Sequence, residues 1–191
     1  MYMNNIISED LFRFNGKKGV LSMLKTAISK WSFRHVLLLR WYQLSRLKLL
    51  PRLLLRHSCL LTGIQIGWKT KIGKGFLIVH YGDIAINNDV VIGNYCTVSH
   101  GATIGIASRG AKAGCPTLGN YVWVGSNAAI VGKINIGDDV LIAPLAYVNI
   151  DVPSHSIVIG NPAKIIPCEH ATKDYITRVP KSDKLTNNGG L

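Results

Sequence analysis

Two histidines, His80 and His100, could do chemistry by their type and spacing. An imidazole with a pKa near neutrality can take a proton from an alcohol, which is otherwise a poor nucleophile near pH 7. A lone histidine is more often a surface or core residue, so neither is assigned a role by type alone. Cys115 could be taken for a nucleophile, but flanking Gly114 and Pro116 read as loop. Cys59, Cys96, Cys115 and Cys168 lie far apart with no CxxC pair, which points to a reducing compartment. No His, Asp or Glu cluster has ligand spacing, so no metal is expected.

The elements that must position these residues come from a repeat. Aliphatic residues return every six positions at Ile66, Ile72, Ile78, then Ile86, Ile92, Val98, Ile104, and again at Leu118, Val124, Ile130, Ile136, Ile142 and Val148. Period six is neither the 2 of a strand nor the 3.6 of a helix. It fits a triangular parallel coil of three six-residue faces, each pointing one aliphatic side chain inward, with small residues at the corners. Thirteen faces make a little over four coils. The register slips by two residues around His80-Tyr81-Gly82-Asp83, so His100 falls one coil above His80, with a strand spacing of about 4.8 Å. A second break, 105–117, is rich in Gly, Ala and Lys and must leave as a loop, the usual place for function on a solenoid.

These stretches, GIQIGWKTKIGKGFLIVH, CTVSHGATIG, GCPTLGNYVWVGSNAAIVGKINIGDDVLIAPLAYV and VPSHSIVIGNPAKII, resemble the hexapeptide-repeat acyltransferases, closest to their serine acetyltransferase-like branch. The resemblance covers about residues 63–166. It implies a left-handed parallel β-helix, preceded here by a helical segment at 1–62 and followed by a tail at 167–191, read as mobile. It implies homotrimers, with acetyl-CoA and acceptor meeting between subunits, and it gives His80 the role of general base. Where serine acetyltransferases carry Asp-His, this chain has Val79-His80; where they carry Arg-His-Pro, it has Gly114-Cys115-Pro116; the Asp that orients their histidine aligns with Gln65. An ammonium and carboxylate acceptor needs charged partners that Val79 and Gly114 cannot supply. The expected reaction is therefore transfer of acetyl to a sugar hydroxyl of a surface polysaccharide or its precursor. Serine O-acetylation and a non-catalytic β-helix scaffold are the alternatives.

Stacked one coil above His80, where the family more often has Gln, His100 is expected as an assisting donor or an alternate base; Gln65 can orient His80 through its carbonyl, and Asp83 is the carboxylate that could replace the missing Asp, or else a turn residue. The Gly105 backbone N–H is the candidate oxyanion donor. By position Ser126, Ala143 and Pro144 line the pantetheine of acetyl-CoA, with Lys164 near its phosphates. Trp123 faces outward as a groove wall or subunit contact.

Composition sets the remaining bounds. The chain has 191 residues, 48% hydrophobic and 17% charged, with a net charge of +12, which excludes a disordered chain. Residues 1–62 hold eleven Lys/Arg against Glu9 and Asp10. Leu-rich, Trp-bearing and basic from 31 to 62, this segment reads either as a helical cap or as an interfacial helix touching the inner face of the membrane. Pro51 should break or kink it. On one continuous helix Arg34, Lys48, Arg52 and Arg56 share a sector, with Arg40 and Arg46 elsewhere. There is no nucleic-acid-binding motif, no signal peptide and no spanning run, so a cytoplasmic location is expected.

Overall fold

Gly63 divides the chain. It takes a left-handed φ of 68°, which glycine adopts without strain, and its N–H closes the last helical turn on the Cys59 carbonyl at 2.9 Å. Before it lie four helices, α1 (Tyr2–Asn15), α2 (Val20–Ser29), α3 (Trp31–Leu44) and α4 (Leu49–Thr62). After it the chain winds as a β-solenoid. The computed structural model describes residues 2–183.

Helix α3 is the centre of the helical layer. Its Phe33, Val36 and Leu39 are buried, and α1, α2 and α4 pack around it. Pro51 does not kink a long helix. It sits in the first turn of α4, where its missing N–H forfeits no bond, and the chain breaks before it at 45–48. The basic sector expected on one continuous helix is therefore split, with Arg34 on α3, Lys48 just before α4, and Arg52 and Arg56 on α4. Arg40 is buried against Asp10, with Nε donating to Oδ2 at 2.9 Å.

The solenoid has three parallel faces. The first stacks β1 (Ile64–Ile66), β4 (Ile84–Ile86), β7 (Thr103–Gly105), β10 (Ala129–Val131) and β13 (Tyr147–Val148). The second stacks β2 (Lys71–Ile72), β5 (Val91–Ile92), β8 (Thr117–Leu118) and β11 (Asn135–Ile136). The third stacks β3 (Leu77–Ile78), β6 (Thr97–Val98), β9 (Trp123–Val124), β12 (Val140–Ile142) and β14 (Ser156–Ile159), with β15 (Lys164–Pro167) added antiparallel. The hexad residues form the core, and all but Ile72 are fully buried. Each buried Val or Ile contributes roughly 1.5–3 kcal/mol. The corners explain the glycines: a Cβ on Gly73 would lie 2.6 Å from the Gly93 carbonyl of the next coil.

Five coils are present rather than a little over four. Val148, Val152 and Val158 complete the fifth, but the step from Val148 to Val152 is four residues, so it drops out of a strict six-residue register. Loop 105–117 leaves the coil as expected and folds as a small hairpin, with Ala107 and Gly114 exchanging backbone bonds at 3.0 and 2.9 Å.

Side chains of the helices take the backbone groups that a preceding coil would have taken. Gln43 donates to the Thr70 carbonyl, Arg40 to those of Ile72 and Gly73, and Arg13 to that of Gly75, while Asp10 accepts from the Phe76 N–H. Arg13 also donates to Thr97 Oγ1 at 2.7 Å and to the Thr177 carbonyl. Burial lowers its pKa to about 10, and the guanidinium stays charged at neutral pH.

The segment after β15 is not a free tail over its described part. Asp139 accepts from the N–H groups of Ala171 and Thr172, Tyr175 packs on Trp123 with ring centroids 4.9 Å apart, and Arg178 donates to the Phe14 carbonyl at 2.7 Å. Residues 167–183 thus form a strap from the last coils back to α1. The rest of the expected tail, 184–191, lies outside the described residues.

Candidate active site

The third face ends each coil at an inward aliphatic, and Ile78, Val98, Val124 and Ile142 are in register. Two residues further on, the same column carries His80, His100, Ser126 and Pro144 at one edge of the solenoid. The rings of His80 and His100 meet edge to face, with centroids 5.9 Å apart at 71°. His100 Nδ1 lies 3.5 Å from Ser126 Oγ, and the His100 carbonyl accepts from the Asn127 N–H at 3.1 Å. The two-residue slip between Ile78 and Ile86 is what puts the histidines in line. Both imidazoles are exposed, so each is open to an acceptor hydroxyl.

A cavity of about 510 Å³ opens beside His80, between the α2–α3 turn, the end of β3 and the strap. Lys30, Trp31, Val79, Tyr81 and Arg178 face it, and no carboxylate does. Lys30 and Arg178 are both held by the Phe14 carbonyl, at 2.8 and 2.7 Å. Sequence reasoning missed Lys30, Trp31 and Arg178. Their positions depend on helix packing and on the strap, which leave no periodic signal.

The other expected site residues lie elsewhere on the chain. Gln65 is exposed on β1, in register with Ala85. Gly105 ends β7, in register with Val131, and its carbonyl accepts from the Gly132 N–H at 3.2 Å. Both line a second groove of about 710 Å³ along the first face, together with Arg56, Cys59 and Asn87. Asp83 has a left-handed φ of 45° and faces the backbone of Gly63, as a turn residue does. Among the described residues neither Gln65 nor Asp83 hydrogen-bonds His80. Ala143 precedes Pro144 in the histidine column, and Lys164 is exposed on β15, paired with Ile159. Trp123 is only half-buried, and the strap residue Tyr175 covers it.

Cys115 donates to Asn87 Oδ1 at 3.4 Å, and burial followed by the Asp89 charge pushes its thiol pKa up, the opposite of an activated nucleophile. No group of His, Cys, Asp and Glu able to hold a metal occurs among the described residues.

No family model matches the chain. A serine acetyltransferase of Helicobacter pylori is 38% identical over 121 residues, 63% of this chain and 71% of that one. The putative colanic acid biosynthesis acetyltransferase WcaB of Escherichia coli is 36% identical over 104 residues, 54% of this chain and 63% of that one. The serine acetyltransferase of Neisseria gonorrhoeae, solved with serine, superposes with a TM-score of 0.69 at 26% identity, covering 86% of this chain and 69% of that one. The chain spans about half the length of some of the curated relatives it matches.

Proposed function

Because the chain belongs to the hexapeptide-repeat acyltransferases, in their serine acetyltransferase-like branch, we propose that it transfers an acetyl group from acetyl-CoA to an alcohol, with His80 as general base. The observation that carries this is the exposed His80–His100–Ser126 column beside a cavity large enough for an acceptor. In the reaction His80 takes the hydroxyl proton as the acceptor oxygen attacks the thioester carbonyl. The tetrahedral intermediate then expels the thiolate, and the His80 imidazolium returns the proton to give free CoA. Such a base is worth roughly 10²–10⁴ in rate. His100 supports His80 from one coil above, and Ser126, Ala143 and Pro144 lie along the path proposed for the pantetheine, with Lys164 toward the phosphates. A neighbouring subunit of a trimer would bring its first-face groove, with Gln65 and the Gly105 oxyanion donor, against the histidine edge.

The weight of the relatives favours serine as the acceptor, over the sugar that was expected from the sequence. One specific observation keeps the sugar as a second reading: the cavity beside His80 offers Lys30 and Arg178 but no carboxylate for an ammonium, and Val79 stands where an Asp would bind one. WcaB, named for colanic acid biosynthesis, is the relative on that side. The test is thiol release from acetyl-CoA with serine and with a panel of neutral and acidic sugars, with His80→Ala alongside. Release lost in the variant supports the transferase and its base together. Release undiminished in His80→Ala refutes the assignment of the base. No acetyl-CoA-dependent rise in melting temperature for the wild type would point to a non-catalytic scaffold. A cytoplasmic site of action follows from the need for acetyl-CoA.

A further inference from the structure

Two helices carry an apolar face directed away from the core. On α4 the buried side is Pro51, Leu55, Ser58 and Thr62, while Leu49, Leu50, Leu53, Leu54, Leu60 and Leu61 are exposed, Leu60 at 79%. At 100° per residue these six fill an arc of about 140° opposite the buried side, with Arg52 and Arg56 along one border. On α2 the exposed residues are Val20, Leu21, Leu24 and Ile28, an arc of about 100°, again away from the buried Thr26. Both helices flank α3, whose Phe33, Val36 and Leu39 are buried while Trp41 and Leu44 near its C-terminal end are exposed. The exposed apolar surface is therefore mainly that of α2 and α4 rather than the whole of 31–62.

The charge around this surface has one sign. Between residues 11 and 82 there is no Asp or Glu, while Lys25, Arg46, Lys48, Arg52 and Arg56 lie on or beside the two helices. The nearest acids in sequence, Glu9 and Asp10, are buried and already paired with Lys18 and Arg40. A second copy of the same face would bring arginine against arginine with no carboxylate to answer it. An anionic lipid surface answers both the leucines and the cations. Among the described residues no helix is long and apolar enough to cross a bilayer, so the contact is interfacial.

We propose that α2 and α4 form a docking surface for an anionic bilayer, with their leucines in the headgroup–acyl boundary and Lys25 and Arg52 on the phosphates. The proposal does not depend on the acceptor or on transferase activity.

The test is flotation of the full chain with vesicles of neutral phosphatidylcholine alone or mixed with about one third phosphatidylglycerol, at low and high salt. We expect binding to the anionic vesicles that falls at least tenfold in 0.5 M salt, since exposed charges are then screened within a few ångströms. The triple variant Leu49→Ser, Leu50→Ser, Leu53→Ser, altered only at exposed positions, should lose binding with its melting temperature kept. Lys25→Glu with Arg52→Glu should lose binding on the anionic vesicles. Equal binding to neutral vesicles overturns the electrostatic half. No vesicle binding, combined with self-association that the serine variant abolishes, overturns the proposal in favour of a second copy as the occupant.

Discussion

Replacing Asp139 by Asn alters one atom pair and should loosen a segment far along the chain. The Asp139 side chain has no solvent exposure, and its oxygens accept from the Ala171 N–H at 3.1 Å, the Thr172 N–H at 2.9 Å, Thr172 Oγ1 at 2.7 Å and His155 Nδ1 at 2.9 Å. Burial pushes the carboxyl pKa up, but the hydrogen bonds from Thr172, His155 and Ala171 outweigh it and leave the pKa below the usual aspartate value. In the Asn variant the oxygen can keep Thr172, but the amide NH₂ then confronts the Ala171 N–H, donor against donor. An orphaned buried N–H costs about 1–3 kcal/mol, and losing the charge weakens the bonds that survive, for a total of roughly 2–4 kcal/mol. Because the folded pKa is depressed, this stabilisation is complete above the unfolded aspartate pKa and is lost as pH falls through the folded value. Denaturant unfolding of wild type and variant should differ by that amount at pH 7, and the difference should shrink as pH falls below the usual aspartate range. Trypsin should cut the variant faster at Lys173 and Arg178. Since the strap carries Arg178 into the cavity beside His80, the acceptor KM should rise while the acetyl-CoA KM holds. A difference under about 0.5 kcal/mol at pH 7, or one that does not shrink at all as pH falls through and below the usual aspartate range, would refute the account of the strap.

Other perturbations test other parts. Leu145 is 70% exposed with a left-handed φ of 63°, so Leu145→Gly should raise stability by about 0.5–1 kcal/mol, read as a higher denaturation midpoint. Asp10→Asn leaves the buried Arg40 without its counter-charge and should cost about 3–5 kcal/mol by denaturant unfolding; a loss under about 1 kcal/mol would contradict the ion-pair reading. Gly75→Ala forces a side chain at φ 71° into the Tyr95 ring, with the nearest ring atoms inside contact distance, and should lower the melting temperature by several degrees. Ser126→Ala removes the hydroxyl facing His100 Nδ1 and should lower kcat/KM severalfold with little change in melting temperature.

Much of this fold is legible in the chain because each coil repeats one inward aliphatic at a fixed step. The stack of His80 on His100 is legible for the same reason, since eighteen residues of coil plus a two-residue slip can be counted. The fifth coil hides because Val148 and Val152 are four apart. The strap hides because its anchors are backbone N–H groups on one buried carboxylate, a pairing that neither hydropathy nor charge spacing displays. Arg40 and Arg13 look in the sequence like members of a basic surface. Only the packing of α1 and α3 on the first coil turns them inward.

The helix side chains bonded to the first coil and the antiparallel β15 on the last have a bearing on assembly. A stack of parallel coils is a template that could be extended by another molecule at either end, rung on rung, into a fibre. Here the carbonyls of Thr70, Ile72, Gly73 and Gly75 are already engaged by Gln43, Arg40 and Arg13, and β15 runs against the direction an added coil would need. The coil is capped along residues 70–76 at its first end and along the third face at its last, which works against end-to-end polymerisation of copies of this chain.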